Sequence, residues 1–232
     1  MRLLFACLIA ICFCACRSTT ERLEGYSVHG IDVSHYQSDI DWPELSRQDL
    51  HFAFVKATEG ESLADHRFNT NWKGAREAGL RRGAYHFFRP DVPGLKQALQ
   101  FIRNVDLQLG DLPPVLDIEV DGKVSDIVTV NRIRSWLQIV EKHYQVRPII
   151  YTNLKYYNRY IAGNFDDYQV WMARYHTVAP SVTHGQRWTF WQYGNRGRIK
   201  GIEGDVDLNV FNGNLRELDA LGYGSSPAVS TR

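Results

Sequence analysis

The chain has 232 residues and a formal net charge of +1. This length suits one large domain, whose core needs neither a disulfide nor a metal for stability. The near-neutral net charge argues against a strongly basic surface of the kind that binds nucleic acid, and no nucleic-acid partner is expected.

The first sixteen residues, MRLLFACLIAICFCAC, predict an export signal and contain all four cysteines of the chain. Arg2 precedes an apolar run of about twelve residues, a length that fits a signal peptide and is short for a membrane span. The ending FCAC resembles a bacterial lipobox, and Cys16 is the predicted lipidation site. Residues 17–25 then form a polar tether to the membrane. Because Arg17 is not the aspartate associated with inner-membrane retention, an outer-membrane lipoprotein is predicted; an ordinary cleaved signal peptide is the alternative.

Residues 26–222 alternate short apolar runs with amphipathic segments, and residues 223–232 are expected to form a flexible tail. Apolar runs predict five strands, at 27–34, 51–58, 82–88, 113–119 and 147–153. Helical periodicity predicts helices at 68–80, 93–109 and 126–144. Three more strands are predicted with little room for helices between them, at 169–175, 187–194 and 205–211. Strand–helix alternation implies parallel strands, and eight strands close a barrel. The predicted fold is α/β: a TIM-like (β/α) barrel of about five β/α units followed by three strands.

Carboxylates alternate with aliphatic residues in three of the predicted strands. Asp117 and Glu119 share one face of their strand because alternate residues point to the same side. Asp32 in GIDVS and Asp207 in DVDLNV follow the same pattern. If the aliphatic faces pack under helices, the acids point toward the barrel axis, late in their strands, where such barrels hold active sites. Burying several acids together is costly, so the pattern indicates acid/base chemistry or a metal site rather than structural salt bridges.

The pair Asp117 and Glu119 suits cleavage of a glycosidic bond. That reaction needs one protonated carboxyl to donate to the leaving oxygen and a nearby carboxylate that stays ionised. Mutual repulsion between close acids raises the pKa of one of them and produces such a pair.

Eight short motifs extend this interpretation over residues 28–212. In chain order they are GIDVSHYQ (30–37), FVKATEG (54–60), GAYHFF (83–88), LDIE (116–119), YTN (151–153), WMARY (171–175), WQYG (191–194) and VDLN (206–209). Together they resemble glycoside hydrolase family 25 lysozymes. The resemblance implies an eight-strand barrel with about five helices. It also implies hydrolysis of the β-1,4 bond between N-acetylmuramic acid and N-acetylglucosamine in peptidoglycan. No cofactor is expected, and the protein is expected to be a monomer.

The resemblance also implies roles for individual residues. Glu119 corresponds to the catalytic acid, Asp117 to its partner, and Asp32 and Asp207 to a third and a fourth acid. In the substrate-assisted, retaining mechanism attributed to the family, Asp117 orients the substrate's acetamide rather than attacking carbon; the sequence leaves retention and inversion both open. Sugar contacts are expected from five aromatic side chains and one amide, namely Tyr85, Tyr151, Trp171, Tyr175, Trp191 and Gln192. His35 and His86 flank the site and are expected to be hydrogen-bonded structural residues.

Three other interpretations remain open. A metal-dependent hydrolase could take ligands from Asp32, His35, His86, Asp117 and Asp207, but the sequence lacks H-x-H and H-E-x-x-H spacing, so no metal is expected. A non-catalytic wall-binding protein could use the same groove. Another N-acetylated glycan, such as chitin, could be the substrate. The sequence also leaves open whether the enzyme remodels its own wall or attacks other cells.

Overall fold

The computed structural model describes residues 20, 22–182 and 187–225. The predicted export signal, Cys16, and part of the predicted tether therefore lie outside the described residues, as do residues 226–232 of the predicted tail. Among the helices that are described, none has the combination of length and apolar composition needed to cross a bilayer.

The described residues contain a single sheet whose strands are β1 (His29–Val33), β2 (Phe52–Glu59), β3 (Leu63–Ala64), β4 (Arg81–Phe87), β5 (Val115–Ile118), β6 (Ile149–Asn153), β7 (Gln169–Ala173), β8 (Phe190–Gly197) and β9 (Val206–Phe211). Strand β1 pairs with both β2 and β9, which closes a ring in the order β1-β2-β4-β5-β6-β7-β8-β9. All eight predicted strands are in this ring, so the predicted barrel is confirmed. Strand β3 was not predicted and pairs with β2 outside the ring.

The helices are α1 (Trp42–Leu45), α2 (Phe68–Glu77), α3 (Gly94–Asn104), α4 (Asp126–Tyr144), α5 (Leu154–Tyr156) and α6 (Leu215–Ala220), with a 3-10 turn at His35–Gln37 and a π-helical turn at Tyr157–Ile161. The three predicted helices are confirmed as α2, α3 and α4. Helix α3 ends five residues earlier than predicted, because Val105 adopts an extended conformation after the last turn. The remaining helices are too short to show a helical period in the sequence.

The direction of β9 differs from the all-parallel arrangement used to orient the acids. It runs antiparallel to β8 and to β1, whereas the other neighbours in the ring are parallel. The connection from β8 to β9 spans residues 198–205. A parallel return needs a crossover of a dozen or more residues, so this short connection forces the chain to reverse.

Aromatic side chains fill the lower part of the barrel interior. Phe54 stacks on Trp171 with ring centroids 4.3 Å apart, and Phe190 packs edge-on against Phe54 at 5.1 Å. Glycine makes room for this packing: a Cβ on Gly83 would lie 2.5 Å from the ring of Phe54. The barrel is thus closed below by a packed aromatic layer, and the polar groups of the cleft lie above it.

A second apolar layer lies between the outer face of the barrel and the helices. Helix α4 buries Ile133, Trp136, Leu137 and Val140, which recur at the three- and four-residue spacing of one helical face.

The packed body also extends slightly into the predicted tail: the backbone N–H of Tyr223 donates to the carbonyl of Asp111 at 2.7 Å.

Candidate active site

The four predicted acids meet at one mouth of the barrel. Asp32 and Asp117 lie near the C-terminal ends of β1 and β5, and Glu119 follows β5 directly. Asp207 is the second residue of β9 rather than a late one, which corrects the predicted placement. Because β9 is antiparallel, its beginning reaches the same end of the barrel, and Asp207 lies directly opposite Asp32 in the register.

These acids line a cleft with a volume of about 190 Å³. Five of the six predicted sugar-contact residues also line it, namely Tyr85, Tyr151, Trp171, Tyr175 and Gln192. The sequence interpretation did not name six further lining residues: Val33, Ser34, Tyr36, Gln37, Lys56 and Phe87. The cleft thus combines carboxyl groups, phenol rings and amides in one concave surface, the composition expected of a carbohydrate site.

Asp32 and Asp207 share a proton. Burial raises the pKa of Asp32 to about 6 even though hydrogen bonds from its neighbours oppose the shift. Burial first, and then the charge of Asp32, raise the pKa of Asp207 to about 9. At neutral pH, therefore, Asp207 is protonated and donates to an ionised Asp32. The pair carries one negative charge instead of two.

Two amides hold the carboxylate of Asp32 in place. Its Oδ2 accepts from Nε2 of Gln192 at 2.9 Å and from Nδ2 of Asn209 at 2.7 Å. The amide oxygens are occupied in turn: Gln192 Oε1 accepts from the hydroxyl of Tyr151 at 2.8 Å, and Asn209 Oδ1 accepts from Nε1 of Trp171 at 2.8 Å. These contacts fix the orientation of both amides, so the site is organised before substrate binds.

Asp117 and Glu119 form a second coupled pair of acids. Burial and then the charge of Glu119 raise the pKa of Asp117 well above its ordinary value. Burial and then the charge of Asp32 raise the pKa of Glu119. One atom of the pair has no partner: Oδ1 of Asp117 is buried and has no hydrogen bond within the described structure. An orphaned buried acceptor at a cleft is suited to a donor supplied by a ligand.

Lys56 is a member of the site that the sequence interpretation missed. Its side chain is buried in the cleft wall, where Nζ donates to Oε2 of Glu59 at 2.7 Å. Its charge lowers the pKa of both Asp117 and Glu119, against the effect of burial. The signal was available: Lys56 follows Phe54 by two residues in β2 and therefore shares its inward face.

Residues 31–202 match the family described as Glycosyl hydrolases family 25. The chain belongs to glycosyl hydrolase family 25. It is 46% identical over 201 residues to the uncharacterized protein YegX of Escherichia coli K12, covering 84% of this chain and 74% of that protein. It is 39% identical over 209 residues to Lysozyme M1 of Streptomyces globisporus, covering 84% of this chain and 71% of that protein. The structure of a family 25 glycosyl hydrolase from Bacillus anthracis superposes with a TM-score of 0.81 at 38% identity, covering 88% of this chain and 97% of that one.

One predicted sugar contact does not lie in the cleft of this family 25 barrel. Trp191 is fully buried on the outer face of β8, where its Nε1 donates to the carbonyl of Arg174 at 2.8 Å and its ring packs against Trp188. Gln192, its neighbour in the strand, does face the cleft. Adjacent residues of a strand point to opposite faces, so Trp191 and Gln192 cannot both line it.

The two histidines lie differently in the family 25 fold. His86 is fully buried outside the barrel wall, with Nδ1 2.7 Å from Oγ1 of Thr58 and Nε2 3.1 Å from Oε1 of Gln97. Burial lowers its pKa to about 4, so it is a neutral, hydrogen-bonded structural residue as expected, although it does not flank the cleft. His35 lies at the rim, where its Nδ1 is 2.7 Å from Oδ2 of Asp65.

Proposed function

We propose that this family 25 glycosidase is a lysozyme that cleaves the β-1,4 bond between N-acetylmuramic acid and N-acetylglucosamine in peptidoglycan. The observation that carries the proposal is the pair Asp117 and Glu119 at the mouth of the cleft, in which both pKa values are raised and one carboxylate oxygen has no partner. The 39% identity to Lysozyme M1 supports the same reaction.

Glu119 is the general acid in this proposal. The pKa of Asp117 is raised further than that of Glu119, so position rather than pKa assigns the acid role: the side chain of Glu119 is more exposed than the buried carboxyl of Asp117. It can therefore reach a bound substrate. As the bond between C1 and the glycosidic oxygen breaks, Glu119 transfers its proton to the leaving oxygen.

Asp117 orients the substrate's acetamide. Its partnerless Oδ1 accepts a hydrogen bond from the acetamide N–H, while the acetamide oxygen forms a bond to C1. Water then attacks C1, the bond to the acetamide oxygen breaks, and Glu119 takes the proton of the water. Two displacements at C1 give a product with retained configuration.

The pair Asp32 and Asp207 stabilises the positive charge that develops on the sugar ring. Hydrogen bonds from the amides of Gln192 and Asn209 hold the single negative charge of this pair in a fixed position. A charge that is already oriented needs no rearrangement during the reaction, which is why it lowers the barrier.

Two exposed phenol rings are proposed to stack on the sugars. Tyr36 is 78% exposed and Tyr175 is 54% exposed, and both line the cleft. Trp171 is only 2% exposed, so it forms the floor and supports Asn209 rather than offering a stacking face.

The position of the cut tests this proposal. Purified peptidoglycan is digested, the products are reduced with borohydride, and the muropeptides are analysed by mass spectrometry. We expect the new reducing ends on N-acetylmuramic acid. New ends on N-acetylglucosamine, equal turnover of chitin, or saturable binding without any cleavage would each contradict the proposal.

We also propose that the protein is an exported monomeric lipoprotein held to the outer membrane through Cys16. The support comes from the sequence, in which the lipobox-like FCAC is followed by a polar segment. Metabolic labelling with a fatty-acid probe should label the wild type and the control variant Cys14→Ser but not Cys16→Ser. An unlabelled, soluble wild type would leave residues 1–16 as an export signal only.

A further inference from the structure

Three potential metal ligands meet beside the cleft. His35 lies in the turn after β1, and Asp65 and His66 lie in the loop between β3 and α2. Nδ1 of His35 is 2.7 Å from Oδ2 of Asp65, and the rings of His35 and His66 have centroids 5.2 Å apart. One ligand atom from each of the three residues lies within 4.8 Å of the others. Two imidazoles and a carboxylate form a donor set typical of Zn²⁺ and related divalent ions.

The carboxylate of this cluster is held in a fixed orientation. Asp65 is buried, its Oδ1 accepts from the backbone N–H of Arg67 at 2.9 Å, and its Oδ2 accepts from the backbone N–H of His35 at 3.1 Å. Such outer contacts orient the ligands of established metal sites. His66 is exposed and can turn toward the other two residues.

We propose that His35, Asp65 and His66 bind one divalent transition-metal ion, best matched by Zn²⁺, at the rim of the cleft. Two ligands of a tetrahedral zinc ion lie about 3.3 Å apart when each bond is about 2.0–2.1 Å. The distance between Nδ1 of His35 and Oδ2 of Asp65 is slightly shorter than this, so the two atoms would have to move apart by less than about 1 Å to bind the ion. The partly exposed side chain of His35 leaves room for water as the fourth ligand.

The ion would link two segments that border the cleft. Tyr36 follows His35, lines the cleft, and has its ring 4.2 Å from that of His35. Binding would therefore join the turn that carries Tyr36 to the loop that precedes α2. The four acids are not part of this ligand set, so the ion stabilises the rim and takes no part in bond cleavage.

A zinc titration of the full chain tests the site. Thiols are first alkylated in every sample, because the N-terminal cysteines would bind zinc on their own. The wild type and the variants His66→Ala and His143→Ala are then titrated with Zn²⁺ against a competing chromogenic chelator. His143 is an exposed histidine on α4 and serves as the matched control.

We expect the wild type and His143→Ala to bind one more equivalent than His66→Ala, or to bind it at least about tenfold more tightly. Zinc should also raise the Tm of the wild type and of His143→Ala, with little effect on His66→Ala. Equal stoichiometry and equal affinity in all three proteins would overturn the proposal, as would an equal rise in Tm.

Discussion

At the scale of single residues, the site depends on carboxyl groups that lie too close together to ionise independently. Asp32 and Asp207 face each other across two strands, and Asp117 and Glu119 lie two residues apart on one face. Desolvation raises the pKa of all four groups. The mouth therefore holds protons at neutral pH, which isolated carboxyl groups in water do not.

The substitution Glu119→Gln should lower kcat by a factor of about 10²–10⁴, because the amide has nearly the same shape but cannot donate the proton. Glycan binding and the Tm should remain close to those of the wild type. Turnover of labelled peptidoglycan and a binding isotherm measure the two effects. Glu77→Gln, an exposed position on α2, is the control. If Glu119→Gln kept more than about a tenth of the wild-type rate, Glu119 would not be the acid.

The substitution Asp207→Asn should stabilise the folded protein at neutral pH. The pKa of Asp207 is about 9 in the folded state against an ordinary value of 3.8, so the folded state binds a proton that the unfolded state has lost. The contribution of this group to stability is fully present below about pH 4 and is lost as the pH rises toward 9. Asparagine can donate to Asp32 without that dependence.

Unfolding by urea at pH 4.5 and at pH 8 measures this effect. We expect the gain in unfolding free energy from Asp207→Asn to be larger at pH 8. The control Asp205→Asn changes an exposed neighbour that pairs with Arg198. Equal effects of Asp207→Asn at both pH values would show that Asp207 is ionised in the folded protein.

At the scale of elements, strand alternation decides which aromatic side chains can meet a sugar. Phe190 and Gln192 point into the barrel, and Trp191 between them points to the helical layer. The same alternation places Lys56 above Phe54 in β2. Composition alone could not separate these roles, because core and cleft both favour aromatic residues.

Two substitutions separate the aromatic roles. Trp191→Phe should lower the unfolding free energy by about 1–3 kcal/mol, since it removes a buried hydrogen bond and volume, and should leave glycan affinity unchanged. Tyr175→Ala should weaken glycan binding with little change in Tm, because Tyr175 is half exposed at the cleft. Binding isotherms and thermal unfolding of both variants give the comparison. Weaker glycan binding by Trp191→Phe at unchanged stability would show that Trp191 contributes to sugar binding after all.

At the scale of the whole molecule, the aromatic layer below the cleft determines how rigidly the acids are held. The cleft floor is Trp171, which rests on Phe54, and Phe54 in turn fills the space left by Gly83. A shift in this packing is transmitted upward because protein interiors are close-packed and have few voids.

The substitution Gly83→Ala should therefore lower both stability and activity. The added Cβ would lie 2.5 Å from the ring of Phe54, and the forced repacking should cost about 1–3 kcal/mol. Gly194→Ala is the control, since a Cβ there meets nothing within 4 Å. Thermal unfolding and kcat are measured for both variants. A fully stable Gly83→Ala protein would show that the aromatic layer has room to adjust.

The sequence by itself determined the eight strands, the three long helices and the face that carries each acid. These features follow from periods of two and 3.6 residues, which are local properties of a chain. The order of the strands in the barrel then follows from the tendency of consecutive strands to lie beside one another.

The short connection before β9 and the alternation around Trp191 are features of the sequence, and they account for the antiparallel direction of β9 and the outward position of Trp191. Only the tertiary structure decided the proton shared by Asp32 and Asp207 and the effect of the buried charge of Lys56 on Asp117 and Glu119. Each depends on distances between groups that are far apart in the sequence, or on how completely water is excluded around them. The pKa of Asp207 illustrates the reason: its value of about 9 comes first from burial and then from the charge of Asp32, 175 positions away in the numbering of the chain. A pattern in the sequence identifies the carboxyl group, but only its packed surroundings determine whether that group carries a proton at neutral pH.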